Sequence, residues 1–251
     1  MKPLTPQPSP LTSHPAALVV FAKAPVPGQV KTRLCPPLTP DEAATLHGSF
    51  VLDTLERTKA AAAQFKLPFD RYLACAPSST HVFFKIMEER HGIKLIDQAG
   101  DDLGERMAQA FENLFTKGYK HTLIIGTDVP SLPLEEYQQA LTLLDSHDLV
   151  LGPALDGGYY LIGLNRPIPD LFVGIPWSTE QVLKLTQERA RGLGLKSALL
   201  APWRDVDTID DLQALVEAGT LDAKKPKRDQ SFSSRTAGAL QLIAKRLRSR
   251  A

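Results

Sequence analysis

Short, continuously apolar runs separated by helix-length amphipathic stretches recur along this chain, and that alternation narrows its fold more than any other feature. Leu18-Val19-Val20-Phe21-Ala22 has no polar residue to turn toward water, so it suits a strand covered on both faces, the first of a parallel sheet. Thr39 and Glu42 then stand at capping-box spacing with Pro40 at the first helical position, and Leu46, Phe50 and Leu55 keep one face of the helix that starts there. The pattern continues with strands expected near 72–76, 94–96, 121–125, 148–151 and 157–164. Helices are expected over 80–90, stopped by Gly92, over 103–115, and onward from Pro133. Two further capping-box pairs, Ser178 with Gln181 and Thr208 with Asp211, open a helix running towards Arg191 and one ending before Gly219. Strand and helix in alternation read as βαβ units: one α/β domain over 17–220 with a mostly parallel central sheet flanked by helices.

Composition excludes several classes. Hydrophobic residues make up 43% of the 251 and charged ones 23%, ordinary for a globular domain with a substantial core. A formal net charge of +1 provides no global field for nucleic acid or an anionic membrane. No run approaches the roughly 18 apolar residues of a membrane span, and the Pro-interrupted start lacks an apolar stretch, so a cytoplasmic location is expected. Cys35 and Cys75 have no metal-ligand spacing and read as reduced thiols. Residues 1–16 form an expected flexible leader. Residues 221–251 form a basic tail with nine Lys or Arg against two Asp from 222 onward. Leu240, Ile243 and Leu247 recur there at helical spacing, which suits a docked or solvated terminal helix, with weak contact to a surface or an acidic partner as the alternative.

In an open parallel sheet, ligands bind outside the carboxyl ends of the strands. The segment 21–34 leaves its strand through small residues that let backbone N–H groups approach phosphates, and carries Lys23, Lys31 and Arg33 to neutralise them. It lacks the Gly-Lys-Ser/Thr of a Walker A loop; the alternative is a Pro-rich crossover with incidental surface cations. Asp128 ends a buried strand in Gly126-Thr127-Asp128-Val129-Pro130, where it could ligate Mg²⁺ or Mn²⁺ or simply form a turn. Asp156, before Gly157 and Gly158, could act on a hydroxyl-rich substrate or make a hairpin turn. Asp207, ahead of a helix, could be a second metal carboxylate or a helix-start acid. Gln98 could read a base edge and Arg106 a phosphate.

Four of these strings, FAKAPVPGQVKTRL, DLGERM, GTDVPSLP and GPALDGGYYLIGL, occur in this order across about 17–218. Together they resemble the arsenosugar-biosynthesis-type glycosyltransferases, a family of the nucleotide-diphospho-sugar transferase superfamily with the GT-A fold. The resemblance implies a nucleotide pocket from Ala22, Lys23, Ala24, Gly28, Lys31, Thr32 and Arg33 together with Gln98, Gly104 and Arg106. It implies a divalent cation, Mg²⁺ or Mn²⁺, on Asp128 and Asp207, and a substrate region at Asp156, Gly157, Gly158 and Tyr159, with Asp156 as the catalytic group. The expected reaction is transfer of a glycosyl group from a nucleotide-sugar to a small-molecule acceptor. Many glycosyltransferases of this fold carry Asp-x-Asp where this chain has a single Asp128, which looks more like the nucleotidyltransferase branch. Nucleotidyl transfer from an NTP with release of pyrophosphate is therefore the alternative, followed by a non-catalytic nucleotide-binding role.

Overall fold

A computed structural model describes residues 16–222 and 232–248, so the expected leader up to residue 15 and the Lys224–Arg228 basic cluster lie outside the described residues. The run at residues 18–22 divides its side chains between two cores with the period of two that a strand imposes. Leu18, Val20 and Ala22 face one core; Ala17 and Val19 face the other. That strand, β1 (Ala16–Lys23), lies inside a seven-stranded sheet with β2 (Phe69–Ala76), β3 (Lys94–Asp97), β4 (His121–Ile125), β5 (Leu149–Pro153), β6 (Tyr159–Leu164) and β7 (Ser197–Leu199). The order is β3-β2-β1-β4-β6-β5-β7. Every pairing is parallel except those of β6, which runs antiparallel to β4 and β5.

The helices are α1 (Pro40–Phe65), α2 (Val82–His91), α3 (Leu103–Thr116), α4 (Glu135–Leu144), α5 (Val182–Gly192), α6 (Ile209–Asp222) and α7 (Ser234–Arg248). On one face of the sheet α1, α2 and α4 contribute Val51, Leu55, Phe84, Tyr137 and Leu141; on the other, α3 and α5 contribute Phe111, Leu114 and Ala190. A third cluster joins the outer side of α1, at Leu46 and Phe50, to Leu212 and Leu215 of α6 and Leu240 of α7. Thr39 caps α1 with the full reciprocal box, and Gly92 closes α2 in the left-handed conformation at φ 57°.

Two expectations change, and one strand was not expected. The helix opened by Thr208 does not stop before Gly219 but runs through it to Asp222. A Cβ at Gly219 would lie 2.9 Å from Leu240 Cδ1, so the glycine makes room for α7 rather than ending α6. The Ser178 capping box is absent: Ser178 is left-handed (φ 64°), Gln181 is the N-cap residue, and its N–H donates to Thr179 Oγ1 at 3.4 Å. The short strand β7 carries no apolar run to announce it, because its residues are exposed or half-exposed at the sheet edge.

The tail helix α7 packs on α1 and α6. Leu240 is buried and Ile243 partly so, while the side chain of Leu247 lies outside the described ones. Arg235 of α7 holds Asp53 of α1 at 3.2 Å and Glu56 at 3.3 Å. Burial raises the Asp53 carboxyl above its usual range, against the lowering effect of Ser233, Thr236 and Arg235. Among the described residues no helix is long and apolar enough to cross a membrane.

Candidate nucleotide and cation site

The carboxyl ends of β1 through β5 and the start of β6 share one edge of the sheet, and the segments singled out in the sequence are the loops that leave it. The first loop is pinned where Ala24 N–H donates to Ala76 O at 2.8 Å. It then turns through Gln29 N–H to Val26 O and enters a 3-10 turn, Thr32–Leu34, behind Lys31 at φ 50°. This left-handed residue aims its side chain inward: the Lys31 side chain is 4% exposed, whereas that of Arg33 is 67% exposed and Lys23 and Thr32 are also exposed. The description as incidental surface cations therefore fails for Lys31. Ala22 and Ala24 are buried beneath the loop, and Gly28 lies exposed at its outer bend.

Asp128 and Asp207 converge on that lysine. Lys31 Nζ lies 2.6 Å from Asp128 Oδ1 and 2.8 Å from Asp207 Oδ1, and donates to Val206 O at 2.7 Å. Burial works hardest against the ammonium charge, yet Asp128 and Asp207 outweigh it and hold the Lys31 pKa above the usual lysine value. Val206 N–H donates to Asp128 O at 2.9 Å, so the two acidic segments are registered on each other through the backbone. Neither carboxylate is spent on helix capping. Thr208 and Asp211 close the box on α6, with Thr208 N–H to Asp211 Oδ2 at 2.9 Å and Asp211 N–H to Thr208 Oγ1 at 3.3 Å. Arg33 Nη1 stands 3.7 Å from Asp207 Oδ2.

Other candidates brace this edge. Gln98 Nε2 donates to Ala22 O at 3.2 Å and Ala74 O at 2.9 Å, tying the ends of β1 and β2. Arg106 Nε donates to Gly100 O at 2.9 Å and so holds the loop before α3. Gly104 lies under Trp177: a Cβ there would sit 2.5 Å from the indole Cζ2. Asp156 is exposed and accepts from Gly158 N–H at 2.8 Å within the connection between antiparallel β5 and β6, where a hairpin turn is the alternative to a catalytic role. Gly157, at φ 91°, accepts from Leu183 N–H at 2.8 Å, and a Cβ there would collide with the Glu180 backbone carbonyl. The Tyr159 ring packs into the core beneath, where burial lifts its hydroxyl pKa, so its side chain does not face the edge.

A family of uncharacterized proteins conserved in bacteria, DUF2064, matches residues 58–179. A candidate nucleotide-diphospho-sugar transferase from Desulfovibrio desulfuricans G20, known from its crystal structure, is 34% identical, with 93% of this chain and 97% of that one covered and a TM-score of 0.80. The chain belongs to the nucleotide-diphospho-sugar transferase superfamily. Two more distant structures share the superfamily fold. A cytidylyltransferase from Leptospira borgpetersenii serovar Hardjo-bovis is 14% identical over 93% of this chain and 95% of that one (TM-score 0.52). CMP:2-keto-3-deoxy-manno-octonic acid synthetase, solved with CTP, is 13% identical over 80% and 96% (TM-score 0.51). No curated protein matches the sequence.

Two groups at this sheet edge have no obvious sequence signal. His47 of α1 is 5% exposed, with Nε2 3.0 Å from Lys23 O and Nδ1 buried without a hydrogen-bond partner. Burial lowers its pKa, against a raising effect of Asp128, so the ring is neutral and Nε2–H is the donor. Asp205 is the other: burial first, then Asp156, Asp207 and Asp211, push its carboxyl up to about 7. Spacing along the chain places Asp205 beside Asp207, but only the fold brings Asp156 near both.

Among the described residues no cluster of three or more His, Cys, Asp or Glu forms a metal cage. What is present fits a shared cation: Asp128, Asp207 and the Val206 carbonyl already surround one positive group, and oxygen is the donor that Mg²⁺ and Mn²⁺ take. Such ions leave their remaining positions to phosphate oxygens and water.

Proposed function

We propose that this chain is a metal-dependent transferase that binds a nucleotide-sugar and passes its glycosyl group to a hydroxyl of a small-molecule acceptor. The observation that carries this reading is the convergence of Asp128 and Asp207 on one cationic position at the carboxyl edge of the sheet. The 34% identical relative described as a candidate nucleotide-diphospho-sugar transferase supports it. Lys31 and Arg33, with Lys23 at the end of β1, are the groups to hold the diphosphate. A Mg²⁺ or Mn²⁺ ion held by Asp128 and Asp207 supplies neutralisation of the diphosphate leaving group. Asp156, exposed on the same edge, is the group to meet the sugar or the acceptor hydroxyl, beside Gly157 and Gly158. Gln98 and Arg106 act behind the nucleotide by fixing the strand ends and the loop on which it rests. The unpaired Cys35 and Cys75 accord with a cytoplasmic setting, and nucleic acid is not among the partners proposed.

A second reading, nucleotidyl transfer, is favoured by one specific feature: the metal strand offers the single Asp128, with Lys31 against it rather than a second carboxylate from the same strand. In that reaction a substrate phosphate attacks an NTP and pyrophosphate leaves. The purified protein with Mn²⁺ is offered NTPs and nucleotide-sugars in the presence of candidate acceptors. Release of NDP supports glycosyl transfer, release of pyrophosphate overturns it in favour of nucleotidyl transfer, and absence of cation-dependent turnover overturns both. Asp128→Ala is expected to abolish the cation dependence of nucleotide affinity; its persistence removes Asp128 from the metal site.

A further inference from the structure

Lys31 Nζ has three oxygens within 2.8 Å: it donates to Asp207 Oδ1 and the Val206 carbonyl, and stands in ion-pair contact with Asp128 Oδ1, which has no hydrogen-bond donor of its own. The position between the acidic pair is thus filled by a cation of the chain's own. We propose that Lys31 is an exchangeable occupant of this position: a divalent ion entering between Asp128 and Asp207 displaces the ammonium, and the released side chain becomes a ligand for the phosphates of the incoming nucleotide. The inference rests on the reading of Asp128 and Asp207 as the cation site.

Charge and attachment both support an exchange. Two carboxylates and one ammonium leave a net negative unit, which a divalent ion in place of the ammonium cancels while freeing a positive charge for a phosphate. The backbones that carry the acids are fixed parts of the fold: Val206 N–H ties to Asp128 O, and Asp207 directly precedes the capped start of α6. Lys31 instead belongs to a loop, on a long flexible stem. Its φ of 50° is a conformation that a residue with a Cβ keeps only while its surroundings hold it. Exposed Arg33, 3.7 Å from Asp207, marks the direction in which positive charge continues toward solvent.

The test is quantitative acetylation of lysines in the full-length wild-type protein, with Lys23 as the exposed reference, in the absence and presence of saturating Mn²⁺. A side chain 4% exposed is protected; on leaving the acidic pair for the exposure of surface lysines such as Lys85, at 53%, Lys31 is expected to gain about tenfold in labelling. In parallel, Lys31→Met is expected to bind Mn²⁺ at least about tenfold more tightly in calorimetry, since one competing unit charge has gone. Mn²⁺ binding that Asp128→Asn abolishes, with Lys31 still protected and the Lys31→Met affinity unchanged, overturns the exchange and leaves the cation site standing. Failure of Mn²⁺ to bind wild type and Lys31→Met alike overturns the cation site and the exchange with it. Should Lys31→Met not fold, the wild-type labelling decides alone.

Discussion

Replacing Gly104 by alanine puts a methyl group into the indole of Trp177, and the outcome separates two explanations for the glycine. Built on the existing backbone, the new Cβ lies 2.5 Å from Cζ2 and 2.6 Å from both Cε2 and Nε1. Unstrained carbon contacts are about 3.5–4.0 Å, so the ring has to move by roughly 1 Å. Retreat is obstructed by Phe172, tilted against the indole at 6.4 Å between ring centroids, and by the core that contains Met107 and partly buried Leu183. Overpacking of this kind costs about 1–3 kcal/mol, and up to about 1 kcal/mol returns through the better helix propensity of alanine in the first turn of α3. A net loss of about 1–2 kcal/mol lowers Tm by roughly 2–8 °C in a chain of this size. Calorimetry measures the shift. Tryptophan emission locates it, because the chain has only Trp177 and Trp203, and Trp203→Phe in every protein leaves Trp177 as the reporter. In a Trp177→Leu background the cost of Gly104→Ala should largely vanish, which a double-mutant cycle reads directly. An unchanged Tm with weakened nucleotide binding would refute the packing argument and return Gly104 to the nucleotide pocket; so would a full cost that persists after Trp177 is trimmed.

Gly157→Ala is expected to cost more, about 3 kcal/mol or beyond, because a positive φ combines with collision against the backbone of Glu180 rather than a movable side chain; denaturant midpoints measure it. Arg235→Ala leaves Asp53, 3% exposed, without its cation, and amide exchange should quicken across α7, with Asp53→Asn in the same background restoring part of the protection. The Asp148 carboxylate accepts from Lys196 N–H at 2.9 Å, the main cause of its lowered pKa, with Arg166 adding to it. Its folded pKa lies below the unfolded one, so its contribution is present above the usual carboxylate range and is lost as pH falls through the folded value. Asp148→Asn should therefore be less stable than wild type at pH 7, with the gap narrowing as the pH of the melts is taken below the usual carboxylate range, and a gap independent of pH would contradict this.

The legible parts of the fold were those in which a local pattern carries its own physics. Thr39, Glu42 and Pro40 specify a helix start within four residues, and the continuous run at 18–22 specifies a strand buried on both faces; both stand as read. Gly219 illustrates the failure of a local rule. A glycine near a helix end ordinarily signals a stop, but here α7, arriving from residues later in the chain, needs the space its missing Cβ provides. Ser178 fails similarly, its capping spacing overridden where the adjacent Trp177 packs onto Gly104.

The site divides along the same line. The sequence by itself determined that Asp128 ends a buried strand, that Asp207 precedes a helix capped by its neighbours, and that a loop of small residues carries Lys31 and Arg33, because each property depends on residues a few positions apart. Only the tertiary structure decided that these three places are one place. Lys31 and Asp207 are separated by 176 positions yet lie 2.8 Å apart. The same packing buries His47 beneath the loop and raises the Asp205 carboxyl. Electrostatic energy depends on distance through space and on exclusion of water, and neither is set until the sheet edge has formed.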